Sequence, residues 1–138
     1  MANASLITPV MALVLWTLVI WAWMVATRIP AMQKAGIEPQ DAARTSSLDL
    51  PAGIMQISDN YNHLMEQPTV FYATALATQV AGLADDLAVS LAWSYVVLRV
   101  VHSLVQCTIN NVMIRFTLFS LSTIVLVVLA ARTTLGIL

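Results

Sequence analysis

The stretch YVVLRVVHSLVQCTINNVMIR, residues 95–115, decides how this chain is read. It is apolar and long enough to cross a bilayer, yet it carries an arginine and a histidine. A charged side chain near the middle of a membrane span is costly, so it normally faces a bundle interior or a wet cavity and has a partner. Tyr95, Arg99, His102, Gln106 and Asn110 recur in steps of three and four, which puts them on one side of a helix. This polar stripe is the expected site.

Composition sets the class around that stretch. The chain has 138 residues, enough for one domain, and its 59% hydrophobic against 9% charged content is far more apolar than a soluble domain's. This is a membrane composition, and the periodicity makes it all-α. The net charge of -1 supplies no basic field, so nucleic acid is excluded as a partner. Cys107 is alone and cannot form an internal disulfide; in an apolar helix it reads as packing.

Four apolar runs are expected to span. Residues 6–27 are uncharged and Trp-rich, and at about 1.5 Å per residue they cross a hydrocarbon core of roughly 30 Å. The opening MANASLITP has no Lys or Arg, so it lacks the basic region of a secretory signal and the run behind it is expected to stay as a span. Residues 28–58 then turn polar, with Arg28, Lys34, Glu38, Asp41, Arg44 and Asp49 among Pro30, Gly36, Pro39 and a Thr-Ser-Ser run. The cations Arg28, Lys34 and Arg44 put this loop in the cytoplasm and both termini outside.

The second span, residues 59–84, is expected to be capped by Ser58 and kinked by Pro68 just above Glu66. Asp59, His63, Glu66 and Val70 share one face at helical spacing, with Asn62 beside them, a second polar stripe. Asp85 and Asp86 mark a short turn, and two carboxylates there read as simply solvated rather than as a calcium site. The third span is 87–110. Equal rises from that turn set Glu66 level with Val105 and Gln106, where it can meet His102, with Arg99 also in reach. The fourth span, residues 114–132, holds a short apolar core between Arg115 and Arg132.

The stripes offer Arg28, Asp59, Asn62, His63, Glu66, Arg99, His102, Gln106 and Arg115, all in the same half of the bundle. Ser103 is next to His102, and adjacent helical residues do not face each other, so no Ser-His nucleophile forms. A bare register device, Glu66 paired with Arg99 or His102, needs only two or three polar groups, and the surplus points to a polar ligand. A metal site on Asp59, His63, Glu66 and His102 is a competitor, although the His-x-x-Glu spacing occurs once rather than twice. A ligand with several carboxylates and a thiol or amine suits the cations, with Glu66 taking an ammonium and an arginine favouring the thiolate.

The run NYNHLMEQPTVFYA, residues 60–73, together with YVVLRVVHSLVQ, residues 95–106, and the later Arg115, resembles the MAPEG family, membrane-associated proteins in eicosanoid and glutathione metabolism. A short bacterial-type member is the nearest description. The resemblance covers nearly the whole chain. It implies a left-handed bundle of four transmembrane helices, a homotrimer in a bacterial inner membrane, and glutathione bound as cosubstrate between subunits near the cytoplasmic leaflet. It implies that Glu66 binds the amino end of glutathione and that Arg99 and His102 are the family's Arg-x-x-His pair. Arg115 then stands where related transferases carry the arginine that activates the thiol. Arg28 matches the family's first-helix arginine, more loosely.

Three positions depart from the eukaryotic enzymes of the family. Asp59 stands where they have an arginine, His63 where they have an asparagine with Asn62 adjacent, and Gln106 where they have a tyrosine near the sulfur. Two functional readings follow. One is a glutathione-dependent transferase or peroxidase in which Arg115 is catalytic, Arg28, Asn62, His63, Glu66, Arg99, His102 and Gln106 bind the tripeptide, and a lipophilic electrophile arrives from the membrane lipids. The other is a non-catalytic trimeric module that binds a lipid or another anionic ligand, or accompanies a larger membrane complex.

Overall fold

A computed structural model describes residues 5–44 and 48–138. Residues 1–4, which open the uncharged N-terminal segment, and the Thr45-Ser46-Ser47 run lie outside the described residues, as does the side chain of Arg44. Every regular element among the described residues is helical: α1 (Ile7–Lys34), α2 (Pro39–Arg44), α3 (Ala52–Leu64), α4 (Pro68–Val80), α5 (Asp86–Cys107) and α6 (Val112–Ile137). Three of them, α1, α5 and α6, with 28, 22 and 26 residues, are long and apolar enough to cross a membrane. Their outer faces carry exposed Leu15, Leu18, Val97, Ile124 and Val127, which suits a lipid surrounding. This is an integral membrane protein.

The helix ends follow from local chemistry. Gly36 and Gly82 have φ of 66° and 71°, the left-handed conformation that glycine adopts without a Cβ penalty. Each closes the helix before it with a paired Schellman arrangement: Gly36 N–H to Gln33 O and Ile37 N–H to Met32 O for α1, Gly82 N–H to Gln79 O and Leu83 N–H to Thr78 O for α4. α1 therefore runs through Lys34, past the expected boundary at residue 27. At the other ends, Asp85 accepts from Ala88 N at 2.7 Å to cap α5, and Asn111 accepts from Ile114 N at 3.1 Å to cap α6. Asp85 is thus more than the solvated carboxylate expected of it, because Arg132 also pairs with it at 2.8 Å. The Arg132 hydrogen bond, and then the Ala88 N–H, hold the Asp85 carboxyl below the usual carboxylate range.

The expected second span, residues 59–84, is not one helix. α3 starts at Ala52 behind Pro51, with Ser58 inside it instead of capping it, and Met65–Gln67 interrupts the run before Pro68 opens α4. Proline supplies no N–H, and the interruption is bridged by shorter-range bonds, Met65 N–H to Asn62 O and Glu66 N–H to His63 O.

α5 and α6 pack as an antiparallel hairpin, α1 lies against α3 and α5, and α4 lies against α6 and α1. Leu13, Ile20, Leu64, Phe71, Ala75, Ala92, Tyr95 and Leu129 form the core, with Phe71 and Tyr95 stacked at 4.4 Å. Side-chain bonds cross between helices in register. Leu6 N–H donates to Gln79 Oε1 at 2.7 Å, the Thr78 and Thr133 hydroxyls meet, Tyr95 donates to Gln67 Oε1 at 3.3 Å, Gln67 donates to Thr123 at 2.7 Å, and Asn60 donates to Gln106 Oε1 at 3.0 Å. Asn60, rather than Glu66, is therefore level with Gln106. The turn is centred near Gly82, not at Asp85 and Asp86, so equal rises from it reach a different residue.

Candidate functional site

The inward stripe of α5 forms as its spacing predicts. Tyr95, Arg99, His102 and Gln106 are all buried, while Asn110 lies beyond the helix end at Cys107. Arg99 is 0% exposed. Its Nη2 donates to His63 Nδ1 at 3.1 Å and to the His63 carbonyl at 3.3 Å. That carbonyl sits at the interrupted end of α3, where a helix presents its partial negative charge, so α3 itself gives the guanidinium some compensation. Because a guanidinium only donates, His63 Nδ1 accepts, which places the imidazole proton on Nε2.

Aromatic contacts complete the cluster. The His63 and His102 rings stack at 5.1 Å with 16° between planes. Phe119 of α6 meets His63 edge-on at 5.4 Å, and Arg99 Cζ lies 5.7 Å from the Phe119 centroid. Beside this stack is a cavity of about 220 Å³ lined by His63, His102, Val112, Arg115, Phe116 and Phe119. Arg115 donates through Nη1 to Asn110 Oδ1 at 2.7 Å.

Several buried polar atoms have no hydrogen-bond partner: Arg99 Nε and Nη1, His102 Nδ1, Arg115 Nε, Ser103 Oγ and Asn60 Oδ1. Buried polar groups are normally satisfied; of these orphans Arg115 Nε belongs to a residue that lines the cavity, while Arg99 lies against His63 and Phe119 of its wall. The cavity lining holds no carboxylate.

The expected residues fall into three sets. His63, Arg99, His102 and Arg115 come together at or against the cavity. Arg28 and Gln106 are engaged elsewhere, Arg28 Nη1 with Ser58 Oγ at 3.2 Å and Gln106 with Asn60. Asp59 and Asn62 on α3, and Glu66 just after it, are exposed, so of the second stripe only His63 turns inward. Among the described residues Glu66 makes no salt bridge with Arg99 or His102, which removes the expected contact between them. Nor do Asp59, His63, Glu66 and His102 converge. Among the described residues no group of three or more His, Cys, Asp or Glu could hold a metal ion.

Neither Asn60 and Gln67, which bond across helices away from the cavity, nor Phe119, which lines it, is among the expected residues. A signal for the first was present: Ile57, Asn60, Leu64, Pro68, Phe71, Ala75 and Thr78 follow steps of three and four, and all are buried. That phase, not the one through Asp59 and Glu66, faces inward. Phe119 had no distinguishing signal inside a uniformly apolar helix.

Long apolar helices beside a cavity walled by Arg115, His63, His102 and Phe119 define an integral membrane protein with a polar candidate site. The chain belongs to the MAPEG family, which it matches over residues 6–135, as the residues 60–73 and 95–106 implied. No curated protein and no solved structure matches it significantly.

Proposed function

We propose that the protein is a glutathione-dependent transferase or peroxidase-like membrane enzyme, acting as a homotrimer on lipophilic electrophiles. The observation that carries this reading is Arg99, a fully buried guanidinium with Nε and Nη1 unpartnered, held against His63 and Phe119 in the wall of a cavity that Arg115 and His102 also line. A buried cation with no carboxylate in direct contact among the described residues is a demand for an anion. Glutathione supplies carboxylates and a thiol that an arginine favours as thiolate. In this reading Arg99, His102 and His63 bind the tripeptide and Arg115 stabilises the sulfur. The thiol proton goes to solvent, the thiolate forms a C–S bond to the electrophile, and the leaving group departs with its electron pair.

The size of the cavity favours a shared site. About 220 Å³ is less than the roughly 300–1,000 Å³ typical of small-molecule pockets, so one chain encloses part of a tripeptide. Exposed Asn62 on α3 and Glu66 just after it are then available to glutathione held by a neighbouring copy, with Glu66 on the ammonium. α3 and α4 serve jointly as the fourth crossing, and the site opens toward the cytosol, the side on which α1 ends at Lys34. The purified protein should develop a thiolate absorbance on adding glutathione, lost in Arg115→Ala. Absence of binding at millimolar glutathione would remove this reading.

One observation favours the non-catalytic module instead. Gln106, at the position of the enzymes' tyrosine, is buried and hydrogen-bonded to Asn60 and does not line the cavity. Glutathione binding without conjugation of a generic electrophile, or recovery with a stoichiometric partner protein, would select that alternative.

A further inference from the structure

The corner between α5 and α6 is built from two asparagines with different tasks. Asn111 caps α6 through Ile114 N. Asn110 has φ 47°, and its N–H returns to Val105 O at 2.8 Å, closing the end of α5. Asparagine tolerates this left-handed conformation better than most residues. The corner brings the Asn110 carboxamide against the first turn of α6, where its Oδ1 accepts from Arg115 Nη1 at 2.7 Å. Arg115 lines the cavity, and its Nε is buried and unpartnered.

We propose that Asn110 is the positioning residue that fixes the Arg115 guanidinium against the cavity, leaving its remaining donors for an anion bound there. The chemistry of the partner is the reason. A carboxamide oxygen orients a guanidinium through one short bond while leaving its positive charge intact, whereas a carboxylate at the same place would orient it and also neutralise it. A long arginine without such a tether would have to be ordered by the ligand itself, at a cost in side-chain entropy. The consequence for a thiolate rests on the glutathione reading above. The tether itself does not.

Asn110→Gly keeps the left-handed backbone and removes the carboxamide; Asn110→Asp keeps the tether and adds a negative charge. With glutathione bound, both variants should raise the pH midpoint of the thiolate absorbance by about one unit and lower kcat at neutral pH roughly tenfold, with KM within about threefold. The two are separated by the ¹⁵N side-chain spectrum of arginine-labelled protein in detergent. The Arg115 guanidinium signal should lose its distinct shift and slow exchange in Asn110→Gly and keep them in Asn110→Asp. An Arg115 signal unchanged in Asn110→Gly overturns the proposal, as does a thiolate midpoint unchanged in both variants when the wild type forms the thiolate. If the wild type binds no glutathione, the transferase reading falls, and the arginine spectrum still decides the tether in either direction.

Discussion

Replacing Arg99 by methionine should leave the unliganded protein as stable as the wild type, or more so, while abolishing its response to ligand. The guanidinium gives up its hydration entirely, at 0% exposure, and recovers two hydrogen bonds, at 3.1 and 3.3 Å, both through Nη2. Bonds from a charged donor return about 1.5–3 kcal/mol each, and the Phe119 ring adds roughly 0.5–2 kcal/mol. Desolvating an ion costs several kcal/mol, and Nε and Nη1 recover none of it. The two sides nearly cancel. Methionine fills similar space without the charge, so the expected change is within about 1 kcal/mol of zero or a gain of a few kcal/mol. A bound anion reverses the balance: at a hundred times its Kd a ligand adds about 2.7 kcal/mol to the wild type and nothing to a variant that cannot bind it. Unfolding in mixed micelles with increasing dodecyl sulfate, followed by circular dichroism with and without glutathione, measures both quantities. A loss of about 3 kcal/mol or more in unliganded Arg99→Met would mean that the protein satisfies this cation internally, and the argument for an anion site would fail.

Two further outcomes test the fold around the site. The Asn60–Gln106 bond joins α3 to α5 where both residues are buried, so Asn60→Leu and Gln106→Leu should each destabilise by about 1–2 kcal/mol, and the double variant should fall short of their sum by roughly 0.6 kcal/mol, measured as a double-mutant cycle. At the far end of the bundle, Arg132 and Ala88 N–H hold the Asp85 carboxyl below its ordinary range. A depressed folded-state value means that the contribution is present above the unfolded carboxylate range, near pH 4, and is lost as pH falls through the lower folded-state value. The melting temperature of the wild type should therefore drop in that acid window, whereas Asp85→Asn, which keeps a capping side chain but no charge, should stay flat there.

The α5 stripe was legible because hydrocarbon leaves a polar side chain one direction to face. Arg99, His102 and Gln106 have apolar neighbours on every other side of the helix, so polarity alone predicted their burial, and all three are buried. On α3 the same rule holds for His63 but not for Asp59. Asp59, His63, Glu66 and Val70, with Asn62 beside them, form a conspicuous stripe, yet of these only His63 turns inward, and the buried stripe is the one through Ile57, Asn60 and Leu64, which continues across the interruption to Phe71, Ala75 and Thr78. Near a headgroup region a polar residue can face water as readily as a core, so polarity stops fixing the phase and apolar periodicity has to do so. The interruption before Pro68 and the Gly82 turn then set the register, and neither its centre nor the resulting match of Asn60 to Gln106 could be counted from the acidic pair alone. The error matters for function. A single chain gathers Arg99, His63, His102 and Arg115, but turns Glu66 and Asn62 outward. Under the glutathione reading, the cationic half of the recognition set faces into one copy and the half that accepts an ammonium faces another, so the complete site requires two copies. A monomer held in detergent should then bind an anion through Arg99 and Arg115 without distinguishing glutathione from a simple dicarboxylate, and selectivity for the tripeptide should appear only on assembly.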